Sequence, residues 1–158
     1  MADTGWVLPG TGSLNTSIGT ETWLTPSGIT GIGGAAAVID WSTGTKSSYY
    51  LRASNFGFSI PSGATIDGIE VRYLRSMNSV TDGLETKRIR LVDDTGAIRS
   101  ADKAIAGTWP TTPTLETVGG ASDLWGDSAG YWATAKINDP DFGVVIQAGT
   151  AGSGVTPD

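Results

Sequence analysis

Apolar and polar residues alternate along several short stretches of this chain, most clearly over residues 65–77. There Ile69, Val71 and Tyr73 occupy every second position, and mostly polar or charged residues stand between them. Successive side chains of a β-strand point to opposite faces, so this pattern predicts a strand that turns these three residues towards a core. Strands with one apolar and one polar face are typical of the antiparallel sheets of a β-sandwich.

Similar strand signals recur along the chain and are separated by turn residues. Residues 84–93 alternate so that Ile89 and Leu91 face a core, and the following Asp94-Thr95-Gly96 predicts a tight hairpin turn. Residues 142–148 are almost continuously apolar, which predicts a strand buried at the centre of a sheet. Further strands are predicted over residues 21–24, 36–41, 48–58 and 97–99, and an irregular region with a short helix or loop is predicted after Pro113.

The composition favours the same architecture. The 158 residues include 23 Gly and 7 Pro, and only 16% are charged, which suits many short strands and turns better than helices. A chain of this length buries one ordinary hydrophobic core. We therefore expect an all-β fold, an antiparallel β-sandwich of the jelly-roll type, with Trp125 and Trp132 filling one end of it.

The first twenty residues are rich in Gly, Thr, Ser and Asn, with isolated apolar residues such as Trp6, Leu8 and Leu14. Such a segment cannot form a core of its own, so it is predicted to be an extended arm. Fully extended, it could reach about 66 Å and contact a neighbouring subunit, although a frayed terminus is an alternative. The predicted organisation is an N-terminal arm over residues 1–20, a sandwich domain over residues 21–149 and a polar tail over residues 150–158.

Charge and residue types limit the chemistry that the chain can perform. The net charge is −6 with no concentrated basic face, so nucleic acid is not an expected direct partner. The chain contains neither His nor Cys, which excludes disulfides, imidazole and thiolate metal sites, and catalytic groups built on either residue. Only carboxylates remain for chemistry, and we expect no metal, no cofactor and no enzymatic activity.

The carboxylates themselves have simpler uses than catalysis or metal binding. The acidic turns over residues 93–96 and 138–141 could offer oxygen ligands to Ca²⁺, but neither has the spacing of a calcium-binding loop, and turn formation explains both. Asp67 and Glu70 could act as acid and base on a glycoside. Residues three apart on a strand point to opposite faces, however, so we expect ion pairs with a neighbouring arginine, Arg72 or Arg75, instead.

Membrane and secretion signals are missing from the sequence. No stretch approaches the roughly 20 apolar residues of a membrane-spanning helix, and the first residues lack the regions of a signal peptide. We therefore expect synthesis in the cytoplasm and no membrane partner. The absence of Cys says little about the final compartment, because a particle assembled in a cell and later released needs no disulfides.

Three segments carry a resemblance to known proteins: LRASNFGFSIPSGATIDGIEVRYLR over residues 51–75, DLWG over residues 123–126, and NDPDFGVVIQA over residues 138–148. In this order and spacing they resemble a recurring β-sandwich module of tailed-bacteriophage structural proteins, across residues 49–148. The resemblance implies a part of the virion, since that group includes capsid decoration (cement) proteins and tail-associated proteins. It implies no catalytic residue, because the shared positions are turn and core residues.

The function expected from this resemblance is that of a phage capsid decoration protein on the virion surface. It would bind the outside of the major capsid protein shell as a homotrimer and stabilise the shell without turnover, with Trp6, Leu8 and Leu14 of the arm as capsid or neighbour contacts. One alternative is a tail or fibre module that binds host-surface glycans on some of the six Trp side chains. A small glycan-active enzyme is a further alternative.

Overall fold

The structure, a computed structural model, describes residues 3–41, 44–78 and 83–154. Within these ranges the chain forms seven strands, one 3₁₀ helix and one short α-helix. In chain order they are β1 (Thr11–Asn15), the 3₁₀ helix (Pro26–Thr30), β2 (Tyr50–Ser54), β3 (Glu70–Arg75), β4 (Leu84–Val92), β5 (Ile98–Arg99), β6 (Thr114–Gly119), α1 (Thr134–Asn138) and β7 (Gly143–Thr150).

The strands are arranged in two antiparallel sheets. A five-stranded sheet has the order β1-β2-β7-β4-β5, and a two-stranded sheet, the β3–β6 ribbon, is formed by the other two strands. The predicted all-β class with antiparallel sheets in a sandwich is therefore confirmed, whereas the jelly-roll topology stays a prediction. The strand predicted to be central, β7, does lie in the middle of the larger sheet.

The main core lies between the two sheets. Trp125 and Trp132 are fully buried there, as predicted. Each indole N–H donates to a backbone carbonyl oxygen, that of Trp125 to Ile69 at 2.8 Å and that of Trp132 to Leu124 at 3.1 Å. A buried indole N–H without a partner would be costly, so these bonds determine how the rings lie. The buried members of the core are Ile89, Leu91, Val118, Trp125, Trp132, Ile137, Phe142 and Val144, and the side chains of Ile69, Val71 and Tyr73 pack against them.

The five-stranded sheet is covered on its other face as well. Val145, which follows Val144 and points to the opposite side of β7, is buried in a second cluster with Tyr50 and Val92. Ile18 covers these residues and is itself buried. Burial on both faces explains why β7 is almost continuously apolar instead of alternating.

The N-terminal boundary predicted at residue 20 needs correction. Residues 11–15 form β1, an edge strand that pairs with β2 along its whole length, and Ile18 is part of a buried cluster. The sandwich therefore begins near residue 11, and the described part of the N-terminal segment outside the sandwich is limited to residues 3–10. Backbone hydrogen bonds to β2, which composition does not reveal, account for the order of this polar strand. At the other end, Thr150 belongs to β7, and residues 155–158 of the predicted tail lie outside the described residues.

Two further strand predictions are corrected by the structure. Residues 21–24 and 36–41 do not form strands; they meet in a single antiparallel bridge between Leu24 and Val38. The region after Pro113, predicted to be irregular, contains β6. Its alternation is hidden in the sequence because an inward position is occupied by a charged residue, Glu116, in place of an apolar one.

Candidate functional site

The outer face of the β3–β6 ribbon exposes apolar side chains. Leu74 of β3 is 61% exposed and Leu115 of β6 is 58% exposed. The register of the ribbon places these two leucines directly opposite each other. A pair of large apolar side chains facing solvent side by side is unusual for a strand surface, where polar residues normally stand.

The hydrogen-bond pattern of the ribbon brings the two leucines close together. The Gly120 N–H donates to Ile69 O at 3.2 Å, so this pair is hydrogen-bonded. Hydrogen-bonded and non-hydrogen-bonded pairs alternate along an antiparallel ladder, and the register runs without a shift. Leu74 and Leu115 therefore form a non-hydrogen-bonded pair, in which the Cα atoms lie about 4.5 Å apart and the side chains are in contact range.

Trp6 extends this surface. The guanidinium carbon of Arg72, which shares the outer face of β3 with Leu74, lies 3.6 Å from the centre of the Trp6 ring. Arg72 is also 3.9 Å from the carboxylate of Glu70, in one of the ion pairs expected from the sequence. Trp6 remains 54% exposed. We call the four residues Trp6, Arg72, Leu74 and Leu115 the outer patch.

The three predicted contact residues of the arm lie in different environments. Trp6 is part of the outer patch, and Leu8 is 48% exposed two residues further along. Leu14 lies in β1, where it is half-buried and packs against the cluster around Trp23. Trp6 and Leu8 are thus available for contact with another molecule, whereas Leu14 is mainly used inside the sandwich.

A buried ion pair holds the ribbon in place beneath the outer patch. Arg75 at the end of β3 is 6% exposed, and its guanidinium donates to the Glu116 carboxylate of β6 at 2.9 and 3.3 Å. A third guanidinium N–H donates to the Thr86 hydroxyl of β4 at 3.2 Å, and this hydroxyl also accepts from the Trp109 indole N–H. The network ties the ribbon to the larger sheet, so the outer patch has a rigid base.

Most tryptophans cannot serve as a glycan platform. Trp23, Trp109, Trp125 and Trp132 are buried, and Trp41 is half-buried. A sugar ring needs an exposed aromatic face to stack on. Among the described residues, Trp6 alone offers a largely exposed indole, and the guanidinium of Arg72 lies over that ring.

The polar side chains of the two acidic turns are used in hydrogen bonds to other groups of the protein. One carboxylate oxygen of Asp93 accepts from the Thr95 N–H and hydroxyl and from the Ala97 N–H, and the other accepts from the Tyr131 hydroxyl. Burial raises the pKa of Asp93, but these hydrogen bonds outweigh burial and lower the pKa to about 2. In the second turn, Asn138 bonds both backbone groups of Ile60. The bonds of Asp93 confirm the expected turn formation, as does the bond from the Asp141 N–H to the Asp139 carboxylate, whereas Asn138 links its turn to a distant segment.

Residues 3–41, 44–78 and 83–154 hold no group of three or more acidic side chains placed to bind a metal ion. In the same part of the chain, no helix has the length and apolar character needed to cross a membrane.

Sequence reasoning found only part of the outer patch. The sequence singles out Trp6, and the alternation in β3 places Leu74 on a face otherwise formed by Glu70 and Arg72. Leu115 had no such signal because β6 was not predicted. The pairing of the two leucines follows from the register and could not be obtained without it.

Comparison of the chain with protein-family models, curated proteins and solved structures finds no match. The resemblance to phage virion proteins therefore stays a prediction from the segments quoted above.

Proposed function

We propose that this chain is a non-enzymatic phage structural protein, a capsid decoration protein that binds the outside of the major capsid protein shell and stabilises it. The observation that carries the proposal is the outer patch, an exposed apolar surface on a rigid ribbon. Contiguous exposed apolar residues are costly in water and mark interaction sites. The resemblance to phage virion proteins indicates the kind of particle, and the outer patch is the surface through which we expect the protein to attach.

The outer patch offers enough binding energy to be useful in a shell. Fully burying a leucine side chain contributes roughly 1.5–3 kcal/mol, so the exposed parts of Leu74 and Leu115 would each contribute about 1 kcal/mol at an interface. Trp6 is of the residue type that most often dominates interface energies. Many copies, each binding assembled shell in preference to free subunits, stabilise the shell by mass action without any turnover.

Adhesion also agrees with the chemistry of the side chains. The chain has no His and no Cys, and the Asp93 carboxylate, which accepts four hydrogen bonds, stabilises a turn. Five of the six Trp residues are buried or half-buried, which does not favour a tail or fibre module with a tryptophan platform for glycans. We therefore advance a single function.

Co-sedimentation with empty capsids that lack this protein tests the proposal. We expect Trp6→Ala to weaken binding about 30-fold, since an interface tryptophan of this kind contributes about 2 kcal/mol. Leu74→Ser should weaken binding less, about fivefold, in line with the smaller area. The matched control is Ile32→Ser, which removes an 84% exposed apolar side chain from the loop after the 3₁₀ helix and should leave binding unchanged.

A truncation must respect the corrected boundary. Removing residues 2–9 takes away Trp6 and Leu8 but spares β1, whereas removing twenty residues would also delete β1 and Ile18 and destabilise the fold. Unchanged capsid binding by the folded truncated protein, together with unchanged binding by Leu74→Ser, would refute the role of the outer patch. Binding to a glycan array but not to capsids would favour the tail or fibre module instead.

A further inference from the structure

The β6 strand has a free edge. In the two-stranded ribbon, β6 is paired with β3 on one side only. Hydrogen-bonded and non-hydrogen-bonded pairs alternate along the ribbon, and in the non-hydrogen-bonded pairs the N–H and C=O groups of Leu115, Thr117 and Gly119 point away from β3. Across residues 3–41, 44–78 and 83–154, no backbone group bonds to these outward N–H and C=O groups. An unpaired strand edge of this kind is a template for a further strand.

Most of the features that usually protect an edge strand are absent from β6. Lysines, prolines, bulges and inward-pointing charges discourage pairing in natural sheets. Between Thr114 and Gly119 there is no Lys and no Pro, and the ladder with β3 has no bulge. The charge of Glu116 turns inward but is neutralised by Arg75, so it does not oppose pairing.

We propose that β6 pairs antiparallel with β6 of a second copy of this chain. The two ribbons would join into one continuous four-stranded sheet, in the order β3, β6, β6 of the second copy, β3 of the second copy. The pair has two-fold symmetry, in which the same edge serves both copies. The proposal does not depend on the capsid function, and it differs from the homotrimer expected from the sequence, which stays a prediction.

The sequence of β6 favours one register for this pair among those that overlap along most of the strand. Centring the two-fold axis on Leu115 would place Thr117 opposite Pro113, which has no N–H to donate. Centring it on Glu116 would place two carboxylates directly opposite each other. Centring it on Thr117 avoids both problems: the two Thr117 residues exchange two backbone hydrogen bonds, and Leu115 comes to lie beside Gly119, where β6 ends with a φ of +80°.

Electrostatics also favours contact at this edge. The whole chain carries a net charge of −6, so two copies repel each other on average. Around the ribbon the charges of Glu70 and Glu116 are balanced by those of Arg72 and Arg75, two negative against two positive, which leaves this region neutral. Pairing in the plane of the sheet leaves the outer faces open, so the exposed leucines of both copies come to lie on one surface.

Disulfide trapping tests the register directly, because the natural chain contains no Cys. In the proposed pair the two Thr117 residues lie opposite each other with Cα atoms about 5.5 Å apart, within the range that a disulfide spans. We expect Thr117→Cys to form a covalent dimer rapidly under mild oxidation. The matched control is Thr114→Cys on the same strand, whose two copies would be about 20 Å apart and should not be trapped.

Proline substitution tests which edge is used. Thr117→Pro removes an outward N–H of β6 without removing a bond to β3, and we expect it to raise the dissociation constant of the dimer at least about tenfold. The control is Ser13→Pro, which removes an outward N–H from β1, the edge strand of the other sheet, and should leave the dimer intact. Sedimentation equilibrium measures the mass of each variant, and circular dichroism checks its fold.

Each outcome supports or overturns the proposal. Trapping of Thr117→Cys without trapping of Thr114→Cys supports it, even if Thr117→Pro fails to fold. A natural chain that stays monomeric at about 1 mM, equal trapping of both cysteine variants, or a dimer lost with Ser13→Pro but kept with Thr117→Pro would overturn it. A trimer whose mass is unaffected by Thr117→Pro would overturn it as well.

Discussion

Replacing Glu116 by alanine leaves the Arg75 guanidinium buried beneath the ribbon without its counter-charge. In the natural chain Arg75 makes two hydrogen bonds to the Glu116 carboxylate and one to the Thr86 hydroxyl. Only the bond to Thr86 would remain. Because Arg75 is almost completely buried, water cannot easily replace the carboxylate.

The expected cost follows from the bonds that are lost. A hydrogen bond to a charged group contributes about 1.5–3 kcal/mol, and breaking a buried ion pair by removing one partner typically costs 3–5 kcal/mol. Since Arg75 keeps one bond and Glu116 itself is partly exposed, we expect a loss near the lower limit, about 3 kcal/mol in the free energy of unfolding. That is a large fraction of the total stability of a typical domain.

Urea unfolding monitored by tryptophan fluorescence measures this loss, because four indoles become exposed on unfolding. With a denaturant slope of about 2 kcal/mol per molar, the midpoint should fall by about 1.5 M. The matched control is Glu70→Ala, which breaks the exposed ion pair with Arg72 on the same ribbon. There we expect a loss below about 1 kcal/mol, since solvent screens such pairs.

A double variant separates the buried charge from the packing. Combining Glu116→Leu with Arg75→Met removes both charges and keeps the volume apolar, and it should restore stability to within about 1 kcal/mol of the natural chain. Similar losses for Glu116→Ala and Glu70→Ala would refute the reasoning. So would a double variant less stable than Glu116→Ala, because the cost would then lie outside the uncompensated charge.

Two further predictions concern the Asp93 turn and the glycine at the end of β6. The pKa of Asp93 is lowered in the fold, so this carboxylate contributes about 2 kcal/mol to the free energy of unfolding above pH 4, and the contribution disappears as the pH falls to about 2. Asp93→Asn should remove this part of the acid sensitivity, as measured by urea unfolding at several pH values. A pH dependence that Asp93→Asn leaves unchanged would contradict this prediction. Gly119 has a φ of +80°, and a side chain at this position would meet Ile69 O and the Trp125 indole. Gly119→Ala should therefore lower the free energy of unfolding by at least about 2 kcal/mol, whereas Gly120→Ala, whose methyl group meets no atom, should change it by less than about 1 kcal/mol. Equal effects of the two substitutions in thermal unfolding would count against this account.

Local patterns in the sequence predicted those strands whose faces differ clearly in polarity. The inward side chains Ile69, Val71 and Tyr73 were identified correctly, and so was the central place of β7, because burial leaves a direct trace in residue type. β1 and β6 were missed because each turns only one apolar side chain, Leu14 or Val118, towards a core, and backbone bonds to a neighbouring strand supply much of the rest. Backbone hydrogen bonds are available to every residue type, so they leave little trace in composition.

The sequence by itself determined the all-β class, the absence of imidazole and thiol chemistry, and the burial of Trp125 and Trp132. Only the tertiary structure decided that Leu74 stands opposite Leu115, that the Arg72 guanidinium lies over the Trp6 ring, and that no backbone group of the described residues bonds to the outer edge of β6. The physical reason is that burial depends on each residue's own hydrophobicity, whereas register and edges depend on which distant strands pair. The outer patch, on which the proposed function rests, is a product of strand register and so could not be obtained from hydrophobicity alone.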